Sequence, residues 1–131
     1  PLTQEQKAAF DKVDEYGNKY QLRDLRKRGQ GDRKEDRPNM FYPVIAPDGS
    51  KVYPFGPGDY LSRWRVAKDS YEKLVNDDMI VWKKNDDVDL PTVDGYQKSP
   101  WTPYMKYYLE GRTKQVSNLF QDIEGNKKAE E

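Results

Sequence analysis

The 131-residue chain contains neither cysteine nor histidine. Their absence excludes disulfides, zinc centres with the usual ligand sets, and thiol or imidazole catalysis. Long apolar runs are missing too, and no signal peptide is visible, so the expectation is a cytoplasmic chain without membrane contact. Aliphatic residues are scarce: Leu, Ile, Val and Phe supply only 24 of 131 positions, about 18%, just under the ~20% level at which disorder becomes plausible. Disorder also requires high net charge and few aromatics. Here 23 basic residues balance 23 acidic ones, and Phe, Trp and Tyr make up 13% of the chain. A small, aromatic-rich core with much surface loop follows.

Catalytic loop motifs are absent as well. Gly29-Gln30-Gly31 and Gly56-Pro57-Gly58 lack the later glycine of a dinucleotide loop, and no Gly-Lys-Ser/Thr occurs. Asn85, Asp87 and Asp89 have the spacing of a calcium loop, but Leu90 replaces its glycine and Tyr96 its glutamate. No metal site is expected.

What is present is uneven charge. Residues 19–37 carry eight basic and four acidic side chains, whereas residues 76–94 carry two basic and six acidic. The richest stretch, residues 22–43, holds seven Lys and Arg between two small apolar groups. Such a segment can present cations to a polyanion, because Arg forks grip phosphate and Asn can read adenine. The same run also reads as a solvated surface in which Asp24, Asp32, Glu35 and Asp36 neutralise their neighbours. A second candidate strip is Arg63-Trp64-Arg65: on a strand, both arginines face one way and Trp64 faces the core. Lys83 with Lys84, and Arg112 with Lys114, are weaker cationic additions. Tyr104, Tyr107 and Tyr108 suit either base stacking or core packing.

The pattern predicts an α+β fold, with two or three short helices on a small, mostly antiparallel sheet and long loops. Thr3 and Gln6 have capping-box spacing for a helix over residues 4–14. Residues 41–45 and 52–53 predict a hairpin around Ala46-Pro47-Asp48-Gly49. Asp69 and Glu72 form a second capping box before a two-turn helix. Residues 79–82 read as a strand covered on both faces, residues 86–100 as loop, and residues 101–109 as strand or irregular packing. Residues 126–131 read as a frayed tail.

Residues 20–53, with Leu-Arg-Asp-Leu-Arg-Lys-Arg-Gly-Gln-Gly-Asp-Arg-Lys-Glu-Asp-Arg-Pro-Asn-Met-Phe-Tyr-Pro followed by Ala-Pro-Asp-Gly, resemble the central region of adenine-specific DNA methyltransferases. The likeness is to the modification subunits of type III restriction–modification systems. Arg63-Trp64-Arg65, Ile80-Val81-Trp82-Lys83-Lys84 and the exit at residues 122–129 extend it over nearly the whole chain. Three positions depart from the pattern: Ser62 replaces a frequent Gly, Val66 a common Trp, and Ala67 a common helix-starting Ser, which passes the cap to Asp69.

In this family the region lies between a catalytic Asp-Pro-Pro-Tyr and a cofactor motif Phe-x-Gly-x-Gly, neither of which occurs here. The resemblance therefore implies one inserted domain, residues 1–131, that recognises double-stranded DNA without catalysing alone. S-adenosylmethionine would be bound by the parent enzyme, which extrudes the adenine. Arg26, Lys27, Arg28, Arg33 and Arg37 would meet phosphates and Asn39 a base, with Arg23, Arg63, Arg65, Lys83, Lys84, Arg112 and Lys114 adding contacts. The partners implied are DNA and the rest of the methyltransferase. The alternative is a module docking onto the nuclease subunit or a second methyltransferase copy.

Overall fold

With so few aliphatic side chains, the chain builds a small core in which Tyr42 and Trp64 join Leu25, Val44, Ala46 and Val52. A computed structural model describes residues 1–87 and 89–110, and it is α+β, with every named strand pair antiparallel. Two contact units divide the chain. The first comprises Pro1–Gln21 with the described part of Lys106–Glu131, and the second is Leu22–Met105.

In the first unit, helix α1 (Gln4–Ala8) starts at the predicted capping box: Thr3 Oγ1 accepts from the Gln6 N–H, and Gln6 Oε1 accepts from the Thr3 N–H. The helix is shorter than the spacing predicted. Phe10 leaves the helical face to be buried near Tyr107, with ring centroids 6.1 Å apart. Lys12 and Val13 then form β1 (Lys12–Val13), paired with Tyr20 and Lys19 at the start of β2 (Lys19–Asp24). Asp14 closes this turn by accepting from the Tyr16 and Asn18 N–H groups, both at 2.9 Å, and from the Tyr108 hydroxyl at 2.9 Å. Partial burial works to raise the Asp14 pKa, but these bonds outweigh it and the net shift is downward.

The second unit holds the core: Leu25, Tyr42, Val44, Ala46, Val52 and Trp64, with Val66, Tyr71, Ile80, Trp82, Trp101 and Met105 packed against it. Trp64, 2% exposed, donates its indole N–H to the Tyr42 carbonyl at 2.7 Å. Tyr42 in turn donates its hydroxyl to the Val66 carbonyl at 2.7 Å, and burial pushes its phenol pKa up. Both buried ring donors are therefore satisfied, the condition under which such rings serve as core.

The predicted hairpin forms from β3 (Val44–Ile45) and β4 (Lys51–Val52) in the register Val44↔Val52. Asp48 fixes the turn by accepting from the Ser50 N–H and hydroxyl at 3.0 and 2.6 Å. Helix α2 (Lys68–Asn76) follows, and its cap is Ala67, with no side-chain bond, instead of the expected Asp69. Asp69 lies inside the first turn, where its charge suits the helix N-terminus. At the other end Asp78 takes φ 57°, and the Asp78 and Met79 N–H groups bond Val75 O and Leu74 O, a Schellman closure.

At strand β5 (Ile80–Lys84) the stretch expected to be covered on both faces, residues 79–82, is half-buried throughout; Ile80 and Trp82 meet the core, and Lys83 and Lys84 beyond it are exposed. The stretch expected to be loop contains a hairpin, β6 (Thr92–Val93) with β7 (Tyr96–Gln97). Its two-residue turn, Asp94-Gly95, has φ 51° and 85°, as a type I′ turn requires.

Strand β8 (Trp101–Tyr108) pairs with β5 from Ile80↔Met105 to Lys84↔Trp101. On its other side the Leu25 N–H bonds the Pro103 carbonyl at 3.1 Å. Pro103 has no N–H to return. The Leu25 carbonyl instead accepts from the Arg65 N–H at 2.8 Å, and the chain next pairs Arg26 with Trp64. The proline thus marks where residues 24–27 leave β8 for the Arg63-Trp64-Arg65 segment, which is held by isolated bridges and not by a regular strand.

Leu25 is fully buried at this branch. Leu25→Ala should lower unfolding free energy by roughly 2–5 kcal/mol, read from the midpoint of urea denaturation. A loss below ~1 kcal/mol would contradict this placing of the core.

Candidate nucleic-acid interface

Residues 22–43 form a braced loop. At its centre stands Asp32, a buried carboxylate. Arg26 Nη1 donates to Asp32 Oδ2 at 2.9 Å, to Ser62 Oγ at 3.1 Å and to Lys27 O at 2.7 Å. The Tyr60 hydroxyl donates to the same Asp32 oxygen. Ser62, fully buried, donates its hydroxyl to the Asp32 carbonyl at 2.5 Å. The hydrogen bond from Tyr60 is the main cause of a lowered Asp32 pKa; Arg26 adds to it, and burial opposes it.

Gly56 makes room for this arrangement. A Cβ there would stand 2.3 Å from the tip of the Tyr60 ring, which Asp32 holds in place. No side chain larger than hydrogen fits without moving the ring.

The cations divide into two groups. Arg26 and Asp32 are 16% and 11% exposed as a pair, so Arg26 works inside the loop. Lys27 donates to Arg28 O and Gln30 O at 2.6 and 3.2 Å. Arg63 Nε donates to Gly31 O at 2.8 Å, and Arg65 Nε to Asp24 O at 2.6 Å, tying the loop to the segment flanking the core tryptophan. Arg23 is half-buried.

Facing solvent are Arg28, Arg33, Arg37 and Asn39. Arg28, 67% exposed, pairs with Asp24 at 3.0 Å. Arg33 lies 4.0 Å over the Tyr60 ring, a cation–π contact that aims it from the brace outward. Arg37 and Asn39 flank Pro38 at a short 3₁₀ turn (Pro38–Met40). Lys83 and Lys84 are exposed on β5, over the rings of Tyr104 and Trp101 at 5.0 and 5.7 Å. Arg112, Lys114 and the exit at residues 122–129 lie outside the described residues.

Arg65 stands among other arginines. Burial lowers the pKa of Arg65, Arg23 lowers it further, Asp24 partly restores it, and Arg28 and Arg26 add to the lowering. An arginine cluster this dense relaxes when an anion joins it.

Of the tyrosines considered for stacking, Tyr104 is half-buried under Lys83; in the first unit Tyr108 packs on Tyr20 at 5.3 Å and Tyr107 is exposed. Sequence reasoning missed Tyr60 and Gly56, and the available signal was an aromatic one residue past a Gly-Pro-Gly-Asp turn. It also missed a triad of Phe41, Tyr53 and Tyr96, with centroids 4.8–5.6 Å apart, on which Lys34 rests 4.8 Å from Phe41. Among the described residues no three acidic side chains gather as metal ligands, and no helix is long and apolar enough to cross a membrane. Comparisons of the chain with protein-family models, curated proteins and solved structures find no match.

Because the native Asp32 pKa is lowered, its bonds stabilise the fold fully above about pH 4, and that contribution fades as pH falls through the native value. Tyr60→Phe should move the Asp32 titration upward, followed by carbon-detected NMR of the carboxyl. An unmoved titration would show that the Tyr60 bond does not govern this carboxylate.

Proposed function

We propose that this chain is the DNA target-recognition part of an adenine-specific DNA methyltransferase of the type III restriction–modification kind, working in the cytoplasm. The observation that carries the reading is the division of labour in residues 22–43. Arg26, Lys27, Arg63 and Arg65 stiffen the loop from within, while Arg28, Arg33, Arg37 and Asn39 stand on its outer side. A loop fixed in this way presents guanidiniums to phosphates without first losing the freedom of a flexible segment. Asn39, on the short turn, is the side chain suited to an adenine edge.

In this reading the chain supplies position and target choice. S-adenosylmethionine and the adenine pocket belong to the rest of the methyltransferase, and no step of methyl transfer falls to a residue described here. A second reading, docking onto the nuclease subunit or a second methyltransferase copy, draws on a groove of about 450 Å³ between β3 and α2. Ile45 and Val75, 54% and 48% exposed, belong to it.

The salt dependence of binding to duplex DNA tests the first reading. Five loop contacts would give a slope near −4.5, whereas the three outward arginines alone give about −2.7. Each of Arg28→Gln, Arg33→Gln and Arg37→Gln should reduce the slope by ~0.9, measured by fluorescence anisotropy. A slope near zero for the unsubstituted chain would overturn the reading. Intact DNA binding with lost subunit assembly in Val75→Glu would favour docking.

A further inference from the structure

A cleft of about 270 Å³ opens in the second unit. Tyr53, Phe55, Trp101 and Tyr104 give it aromatic walls, and Asp24 and Arg26, whose Nη1 is held by the Asp32 brace, add an acceptor and a donor. Its size is slightly below the ~300 Å³ at which pockets for drug-sized ligands begin. That leaves room for one planar ring system but not for a whole nucleotide. We propose that this cleft binds a single amino-bearing nucleobase, its faces stacked on the aromatic walls and its edge met by Asp24 and Arg26.

The chemistry fits from both directions. Every base offers a π-face to an aromatic wall. A carboxylate accepts from an exocyclic amino group such as that of cytosine, and a guanidinium donates to ring nitrogen or carbonyl oxygen. Asp24 belongs both to the cleft and to the arginine cluster, being paired with Arg28 at 3.0 Å and bonded through its carbonyl to Arg65. A base seated there has its phosphate drawn toward guanidiniums. The base can come from a free nucleoside or from a nucleic acid strand in which it has left the stack. The second source rests on the DNA-recognition reading, and the first does not.

Trp101 supplies a reporter, since its ring lines the cleft and carries a buried indole N–H. The ¹⁵N-labelled chain is titrated with adenosine, cytidine, guanosine and thymidine, then with single-stranded oligonucleotides and with duplexes carrying or lacking a mismatch. Saturable movement of the Trp101 indole signal with the three amino-bearing nucleosides, and less with thymidine, is expected. Asp24→Asn should weaken binding at least fivefold. Thr102→Trp fills the cleft from its exposed rim, so it should abolish the movement while leaving the salt slope for duplex DNA unchanged. Tighter binding of strands or mismatched duplex than of nucleosides assigns the site to unstacked bases, and the reverse assigns it to free nucleosides.

No saturable movement with any of these probes overturns the proposal, even where salt-dependent duplex binding persists. Nucleoside binding alongside a flat salt slope upholds the cleft and removes the DNA-recognition reading.

Discussion

Asp32 and the groups that converge on it hold together a part of the chain that composition would leave loose. Among the described residues the core cluster holds six buried side chains, of which residues 22–43 supply only Leu25 and Tyr42, and the rest of that stretch is too polar to fold by burial. A carboxylate bonded by Arg26 and Tyr60, with Ser62 on the carbonyl of the same residue, turns that polar segment into part of the folded structure. The arrangement is stable only as a set. Removing one partner leaves a buried charge or hydroxyl unsatisfied, and that costs more than the bond contributes when complete. Gly56 and the Tyr60 ring above it belong to the same set through shape instead of charge.

This constraint explains why the loop's cations are not equivalent. Their sequence spacing looks uniform, yet alternate roles emerge from what each guanidinium can reach. Arg63 and Arg65 share one segment and both reach backward, to Gly31 O and Asp24 O, so the strip flanking the core tryptophan is a fastening of the loop. The outward set is correspondingly smaller. A cation count from sequence alone overstates the number available to a polyanion, because it cannot separate charges spent on carbonyls from charges left for solvent.

Much of the local structure was legible in the residues. The capping box at Thr3, the hairpin around Pro47-Asp48-Gly49, the core position of Trp64 and the α+β class all follow from short-range chemistry, and the structure has them. The misreadings came from long-range competition. Phe10 leaves the helix because burial near Tyr107 outweighs another turn, and the Asp94-Gly95 hairpin was hidden by the prolines and charges around it. Asp69 has the right spacing for a cap, but the chain after Arg65 enters the helix two residues earlier, at Ala67. The brace itself was half visible: Asp32 stood out among basic neighbours, whereas Tyr60 and Ser62, about thirty residues away, become its partners only through the fold.

Pro103 shows how a missing atom can act as an instruction. Two antiparallel strands ordinarily continue as long as donors and acceptors alternate, and nothing in the ladder itself says where to stop. At Pro103 the ladder meets a position that accepts but cannot answer, and the Leu25 carbonyl turns to the Arg65 amide. The proline therefore selects between two neighbours competing for the same stretch of backbone. Residues 24–27 are handed from a regular sheet to the segment that anchors the arginine loop. A chain with identical side chains elsewhere but an amide hydrogen at this place would have two self-consistent ways to pair, and the boundary between sheet and loop would no longer be unique.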